Sequence, residues 1–169
     1  CKDSAELWSE NDLFIKDCGA GAPPDIFFPT GQKWCLGAFN PYRLKANAYR
    51  PFIKILRAAM ENAGAIRIDH VMSLQRLYII PDSLEKGTYV YYPFADMLGI
   101  VALESYLHKC MVVGESIGNV PDGFIAEIQK RGIYSLSVLW SERWNGSGPF
   151  KLPQDFAPHT FCSIGTHDM

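Results

Sequence analysis

Three apolar runs in this 169-residue chain lead directly into carboxylates. Ala65 to Asp69 opens the segment Arg67-Ile68-Asp69-His70, Cys110-Met111-Val112-Val113 runs into Gly114-Glu115-Ser116, and Phe161 to Gly165 runs into Thr166-His167-Asp168. Each run is short, apolar and bounded by turn-forming residues, the pattern of a buried strand. Helical periodicity fills the intervals, and strands alternating with helices form a parallel sheet joined by crossovers. In such sheets the reactive groups stand where strands end and loops begin. Three acids far apart in sequence are therefore expected at one rim.

The intervening elements follow from spacing. Between Tyr49 and Ala63 the residues Phe52, Leu56, Ala59, Met60 and Ala63 recur at helical intervals, with Pro51 near the first turn and Gly64 beyond the end. A second helix is expected from Phe94 to His108, and a short one capped by Asp122 and running to Arg131, with Gly132 closing it. Ile133 to Trp140 is expected to be a strand without an acid at its end, and Asn145-Gly146-Ser147-Gly148-Pro149 a loop. Residues 1–47, rich in Gly, Pro and aromatics and without a sustained period, are expected to be a long loop region with short helical pieces. The expected fold is α/β, with about four parallel strands in residues 48–169.

Composition narrows the partners. With 48% hydrophobic residues the chain can bury one sizeable core, and a net charge of −2 offers no basic field for nucleic acid. The longest apolar stretches fall short of the roughly 20 residues that span a bilayer, and no signal peptide opens the sequence. Cys1, Cys18, Cys35, Cys110 and Cys162 are an odd number without a C-x-x-C pair, which argues against a disulfide framework or a zinc cage. A reducing cytosol is the expected compartment. Position 1 is Cys, and the chain stops one residue after the third acidic motif, so an internal fragment is expected.

Six ordered segments carry a family resemblance: Gly21-Ala22-Pro23-Pro24-Asp25, Gly31-Gln32-Lys33-Trp34, Ala65 to Met72, Arg76-Leu77 with Ile80-Pro81, Gly114-Glu115-x-Ile117-Gly118-x-Val120-Pro121, and Thr166-His167-Asp168. Together they resemble the 4-alpha-glucanotransferases, also called amylomaltases or disproportionating enzymes, of the alpha-amylase clan, and most closely the enterobacterial form. The resemblance implies the middle portion of a (β/α)8 TIM barrel, hence a partial barrel, with residues 1–47 inserted over the active site. It also implies transfer of alpha-1,4-glucan segments between maltooligosaccharides.

By the same resemblance Asp69 matches the nucleophile, Glu115 the general acid/base and Asp168 the carboxylate that steadies the transition state. Retaining enzymes place two carboxyl groups about 5 Å apart, one attacking the anomeric carbon while the other protonates the departing oxygen and later deprotonates the incoming one. Transfer and hydrolysis then differ only in the acceptor, and no cofactor or metal is required. Arg67 lies two positions before Asp69, on the same strand face, where its guanidinium can orient the nucleophile. His70 and His167 match sugar-hydroxyl contacts. Phe27 and Trp34 offer flat apolar faces for stacking on glucose, and Asp3 resembles an acid after an earlier strand.

Other readings stay open at this stage. Asp69 and Arg67 can form a structural ion pair, Glu115 can be a solvated loop acid, and Phe27 and Trp34 can be core. A hydrolase of the same clan, or a silent carbohydrate-binding domain, would carry the same pattern. Three positions depart from the resemblance: Ser116 stands where Asp is usual, Cys35 where Gly is usual, adding bulk, and Tyr78 where Trp is usual.

Overall fold

The computed structural model describes residues 3–25 and 28–165. In chain order the elements are α1 (Ala5–Ser9), β1 (Cys18–Ala22), β2 (Gln32–Leu36), α2 (Pro41–Ala46), α3 (Arg50–Met60), β3 (Ala65–Ile68), β4 (Arg76–Pro81), β5 (Thr88–Tyr91), α4 (Phe94–His108), β6 (Met111–Gly114), α5 (Phe124–Lys130), β7 (Tyr134–Val138) and β8 (Thr160–Ser163). The chain divides into two interleaved units, Cys1–Ala58 with Met72–Ile100, and Ala59–Val71 with Val101–Met169. The boundaries fall inside α3, between Val71 and Met72, and inside α4.

The first unit contains an antiparallel sheet of order β2-β1-β4-β5. Its presence corrects the expectation that residues 1–47 are only loop and short helix. β1 reads Cys-Gly-Ala-Gly-Ala, small residues that let two neighbouring strands close in on both sides. A Cβ at Gly21 would lie 2.1 Å from the Gln32 carbonyl oxygen and 2.8 Å from Ile80 Cδ1, so only glycine fits there. Cys18, Ala20, Ala38 and Ile79 are buried together, and Ile15, Trp34, Leu77 and Val90 pack against them. The pairing of β1 with β2 shifts between Ala20 and Gly21, leaving Trp34 and Cys35 as a bulge in which Cys35 takes φ 55. α2 is capped as its sequence dictates: the Asn40 side chain accepts from the amides of Tyr42 and Arg43, with Pro41 in the first turn. Fully buried Leu44 anchors that helix.

The second unit contains a parallel sheet of order β3-β6-β7-β8. Its four strands are those expected from the apolar runs, in sequence order. The helix from Phe94 to His108 is found with the expected bounds, and α3 lies within the expected span. α5 differs at its start: Gly123, at φ 73, occupies the N-cap position with no side-chain cap, so Asp122 does not fill the expected role. Phe124 and Ile128, one turn apart on α5, are buried, and α5 packs against β7. Among the described residues no helix is long and apolar enough to cross a membrane.

Candidate active site

The register of the parallel sheet decides which residues meet. Arg67 pairs with Val113 and Ile68 with Gly114, so the residues that next leave the two strands at the same end are Asp69 and Glu115. The ladder continues one step beyond the strands: the Glu115 amide donates to the Ile68 carbonyl at 2.9 Å, and the Glu115 carbonyl accepts from the Val71 amide at 2.8 Å. Strand ends that remain stitched in this way hold their side chains in fixed directions.

The two acids occupy different surroundings. Glu115 is 7% exposed, and both carboxylate oxygens accept backbone amides: Oε2 from His70 at 2.8 Å and Oε1 from Ile117. The alternative of a solvated loop acid does not describe it. The Asp69 side chain is 63% exposed, and its Oδ1 accepts from Arg67 Nη2 at 2.7 Å. The ion pair anticipated from the strand spacing is therefore present, and it turns one carboxylate oxygen toward the guanidinium while the rest of the group faces solvent.

His70 adopts φ 46, in the left-handed region that a histidine seldom occupies. Its imidazole pKa lies below the usual histidine value because burial disfavours the cation, opposed by the negative charge of Asp69. The ring therefore tends to be neutral near pH 7, able to offer both a donor and an acceptor to a hydroxyl.

A depression of about 350 Å³ lies along the parallel sheet, with Ala65, Arg67, Val113, Leu136, Phe161 and Ser163 on its wall. Arg67 belongs to both the depression and the ion pair. The strand expected to end without an acid, β7, is followed by Glu142, whose oxygens accept from Lys151 Nζ at 2.7 Å and Ser137 Oγ at 2.9 Å. The hydrogen bond from Lys151 holds the Glu142 carboxyl below the ordinary glutamate range, against the effect of partial burial. This neutralised pair ties the loop to its strand.

The remaining candidates separate. Asp168, His167 and Phe27 lie outside the described residues. Asp3 is exposed in a turn ahead of α1. Trp34 is half-buried against the core of the first unit and donates its Nε1–H to Gln32 Oε1 at 3.1 Å. Among the described residues no group of three or more His, Cys, Asp or Glu side chains is arranged to hold a metal. The groups that sequence reasoning missed are the amides of His70 and Ile117, because a backbone donor leaves no mark in composition.

The glycoside hydrolase family 77 model, described as 4-alpha-glucanotransferase, matches residues 1–169. This chain belongs to that family. A 4-alpha-glucanotransferase of Haemophilus influenzae is 41% identical over 170 residues, covering 99% of this chain and 24% of the relative. The crystal structure of amylomaltase from Corynebacterium glutamicum superposes with a TM-score of 0.92 at 30% identity, covering 99% of this chain and 24% of that one. An amylomaltase from Streptococcus agalactiae, solved in complex with acarbose, matches at a TM-score of 0.84 and 20% identity, over 99% of this chain and 35% of its own, a likeness of fold. The family 77 chain described here thus spans about a quarter of the length of its Haemophilus relative.

Proposed function

We propose that this segment carries the reacting groups of a 4-alpha-glucanotransferase, which moves alpha-1,4-glucan segments between maltooligosaccharides by a retaining double displacement. Asp69 attacks the anomeric carbon of the donor. Glu115 protonates the departing glucosyl oxygen and, after the acceptor has entered, removes its proton. Asp168 is assigned to transition-state stabilisation on the family resemblance, as are His167 to a sugar hydroxyl and Phe27 and Trp34 to stacking. In this reading the parallel sheet is part of a (β/α)8 barrel, since β3 and β8 each have a neighbour on one side only among the described residues. A reducing, cytosolic setting accords with the four free cysteines among the described residues.

The observation that carries the reading is the 2.8 Å bond from the His70 amide to Glu115 Oε2. It sets the proposed acid/base against the residue next to the proposed nucleophile, which supports one reaction centre rather than two unrelated loops. The arrangement divides the labour: Asp69 is open to an incoming ring, whereas Glu115 is held from behind. Arg67 keeps Asp69 in line by a charge-assisted bond, and the neutral His70 ring stands beside it for a hydroxyl.

The test uses a polypeptide of the relatives' full length bearing these residues, supplied with maltotriose. Glucose together with maltodextrins longer than the substrate is the expected product pattern, and Glu115→Gln or Asp69→Asn should lower turnover by roughly 10²–10⁴-fold. Products only shorter than maltotriose would identify a hydrolase. Full turnover in Glu115→Gln would remove the acid/base assignment.

A further inference from the structure

Four atoms of Glu115 are bonded to backbone, and the bonds divide into two kinds. The main-chain pair, to Ile68 and from Val71, prolongs the parallel ladder and would form with any residue at 115. The side-chain pair, from the amides of His70 and Ile117, depends on the carboxylate. A carboxylate held at one oxygen can swing about that bond. Held at both, by amides from two different loops, it turns only by losing a bond.

The width of this clamp is set by a steric contact one residue away. A Cβ placed on Gly114 would stand 2.9 Å from Val71 Cγ2 and 3.0 Å from its Cβ and Cγ1. Val71 is wholly buried, so its methyls have no solvent to rotate into. Gly114 is not among the glycines with positive φ, so its backbone suits any residue and the demand for glycine here is one of space. Val71 directly follows His70 and donates to the Glu115 carbonyl, so pushing Val71 outward carries the His70 amide away from Oε2.

We propose that Gly114 and Val71 are positioning residues: their close approach sets the separation of the His70 and Ile117 amides and thereby the direction in which Glu115 presents its carboxyl. The inference rests on the reading of Glu115 as acid/base. It assigns a role in turnover to two residues that touch no substrate. A displacement on the order of 1 Å at the reacting group costs about 10²-fold in rate, whereas substrate affinity is governed by other contacts.

The experiment measures maltotriose disproportionation by a full-length polypeptide carrying this segment. Gly114→Ala should lower kcat by about 10–100-fold with KM changed less than about twofold. Adding Val71→Ala, which removes the two methyls and leaves only the Cβ contact at 3.0 Å, should restore part of the lost kcat, about threefold or more. Exchanging the His70 amide for an ester, by incorporating the α-hydroxy analogue of histidine, removes the donor without adding volume and should lower kcat to a similar degree. That ester variant decides the matter even if Gly114→Ala does not fold. Wild-type kcat in the ester variant overturns the clamp, as does a Gly114→Ala defect that Val71→Ala leaves unchanged in a protein of wild-type melting temperature. Undiminished turnover in Glu115→Gln instead overturns the reading on which the clamp rests.

Discussion

Two residues with positive φ show how a backbone conformation can matter more than the side chain it carries. By the family resemblance Cys35 stands where glycine is usual, which implies added bulk. The side chain is exposed, however, and the unusual feature is φ 55 in the bulge of β2. A left-handed non-glycine residue costs about 1–2 kcal/mol, from which the extra chain entropy of glycine subtracts about 0.5–1 kcal/mol. Cys35→Gly is therefore expected to stabilise by up to about 1 kcal/mol, measured by urea unfolding. An unchanged or lower midpoint would show that the bulge carries no strain.

His70 adds a proton linkage. Its folded pKa lies below the usual histidine value of about 6.5, so well above that pH the ring is neutral in folded and unfolded chains and contributes no pH dependence. As pH falls through that value the unfolded chain takes up a proton that the folded state declines, and stability drops. His70→Asn, which tolerates the left-handed backbone, should shrink the loss of Tm between about pH 7.5 and 5. An equal loss in both proteins, by calorimetry, would mean that burial of this ring does not govern the acid side. Neither the left-handed turn nor the amide it presents was legible beforehand, since the signal is a dihedral rather than a residue type.

At the scale of elements, legibility followed the physics of burial. Strands of a parallel sheet tend to be covered on both faces and read as unbroken apolar runs, so Met111–Gly114, buried at three of its four positions, stood out; Ala65–Ile68, interrupted by Arg67 and exposed or half-buried along its length, was marked instead by the acid that follows it. The antiparallel sheet was hidden for the opposite reason. Cys18–Ala22 contains no β-branched or aromatic residue, and its glycines read as loop. Its partner Arg76–Pro81 is remote in sequence, so no hairpin signal joined them. At Asp122-Gly123 local propensity also lost to conformation: the N-cap position takes φ 73, which glycine accepts without strain. The same glycine logic yields a test on β1. Gly21→Ala would bring a methyl to 2.1 Å from a backbone oxygen that has no alternative rotamer. A loss of about 1–3 kcal/mol is expected in urea denaturation, and a neutral substitution would mean that β1 and β2 separate freely.

For the whole molecule, the family and parallel sheet were legible because ordered motifs survive in a segment about a quarter as long as its Haemophilus relative. The division into units was not, since each unit draws on two separated stretches of chain and no composition shift marks the joins. Within the parallel sheet, among the described residues, the outer strands β3 and β8 pair on one side only, and Phe161 on β8 is 48% exposed. A net charge of −2 supplies little repulsion to keep copies apart. The 169-residue chain expressed alone is therefore expected to self-associate, giving species larger than a monomer in light scattering and no transferase turnover. A monodisperse, active monomer would contradict the open-edge argument.

Interleaving also orders events in time. A ribosome releases Cys18–Ala22 well before Arg76–Pro81, the strand beside which it finally lies, and Ala65–Ile68 well before Met111–Gly114. At about 5–20 residues per second the nascent polypeptide spends seconds with only the β1–β2 hairpin able to pair. The antiparallel sheet can close once Thr88–Tyr91 has emerged, while the parallel sheet waits for Thr160–Ser163, so the stretch Met72–Ile100 completes one sheet and postpones the other.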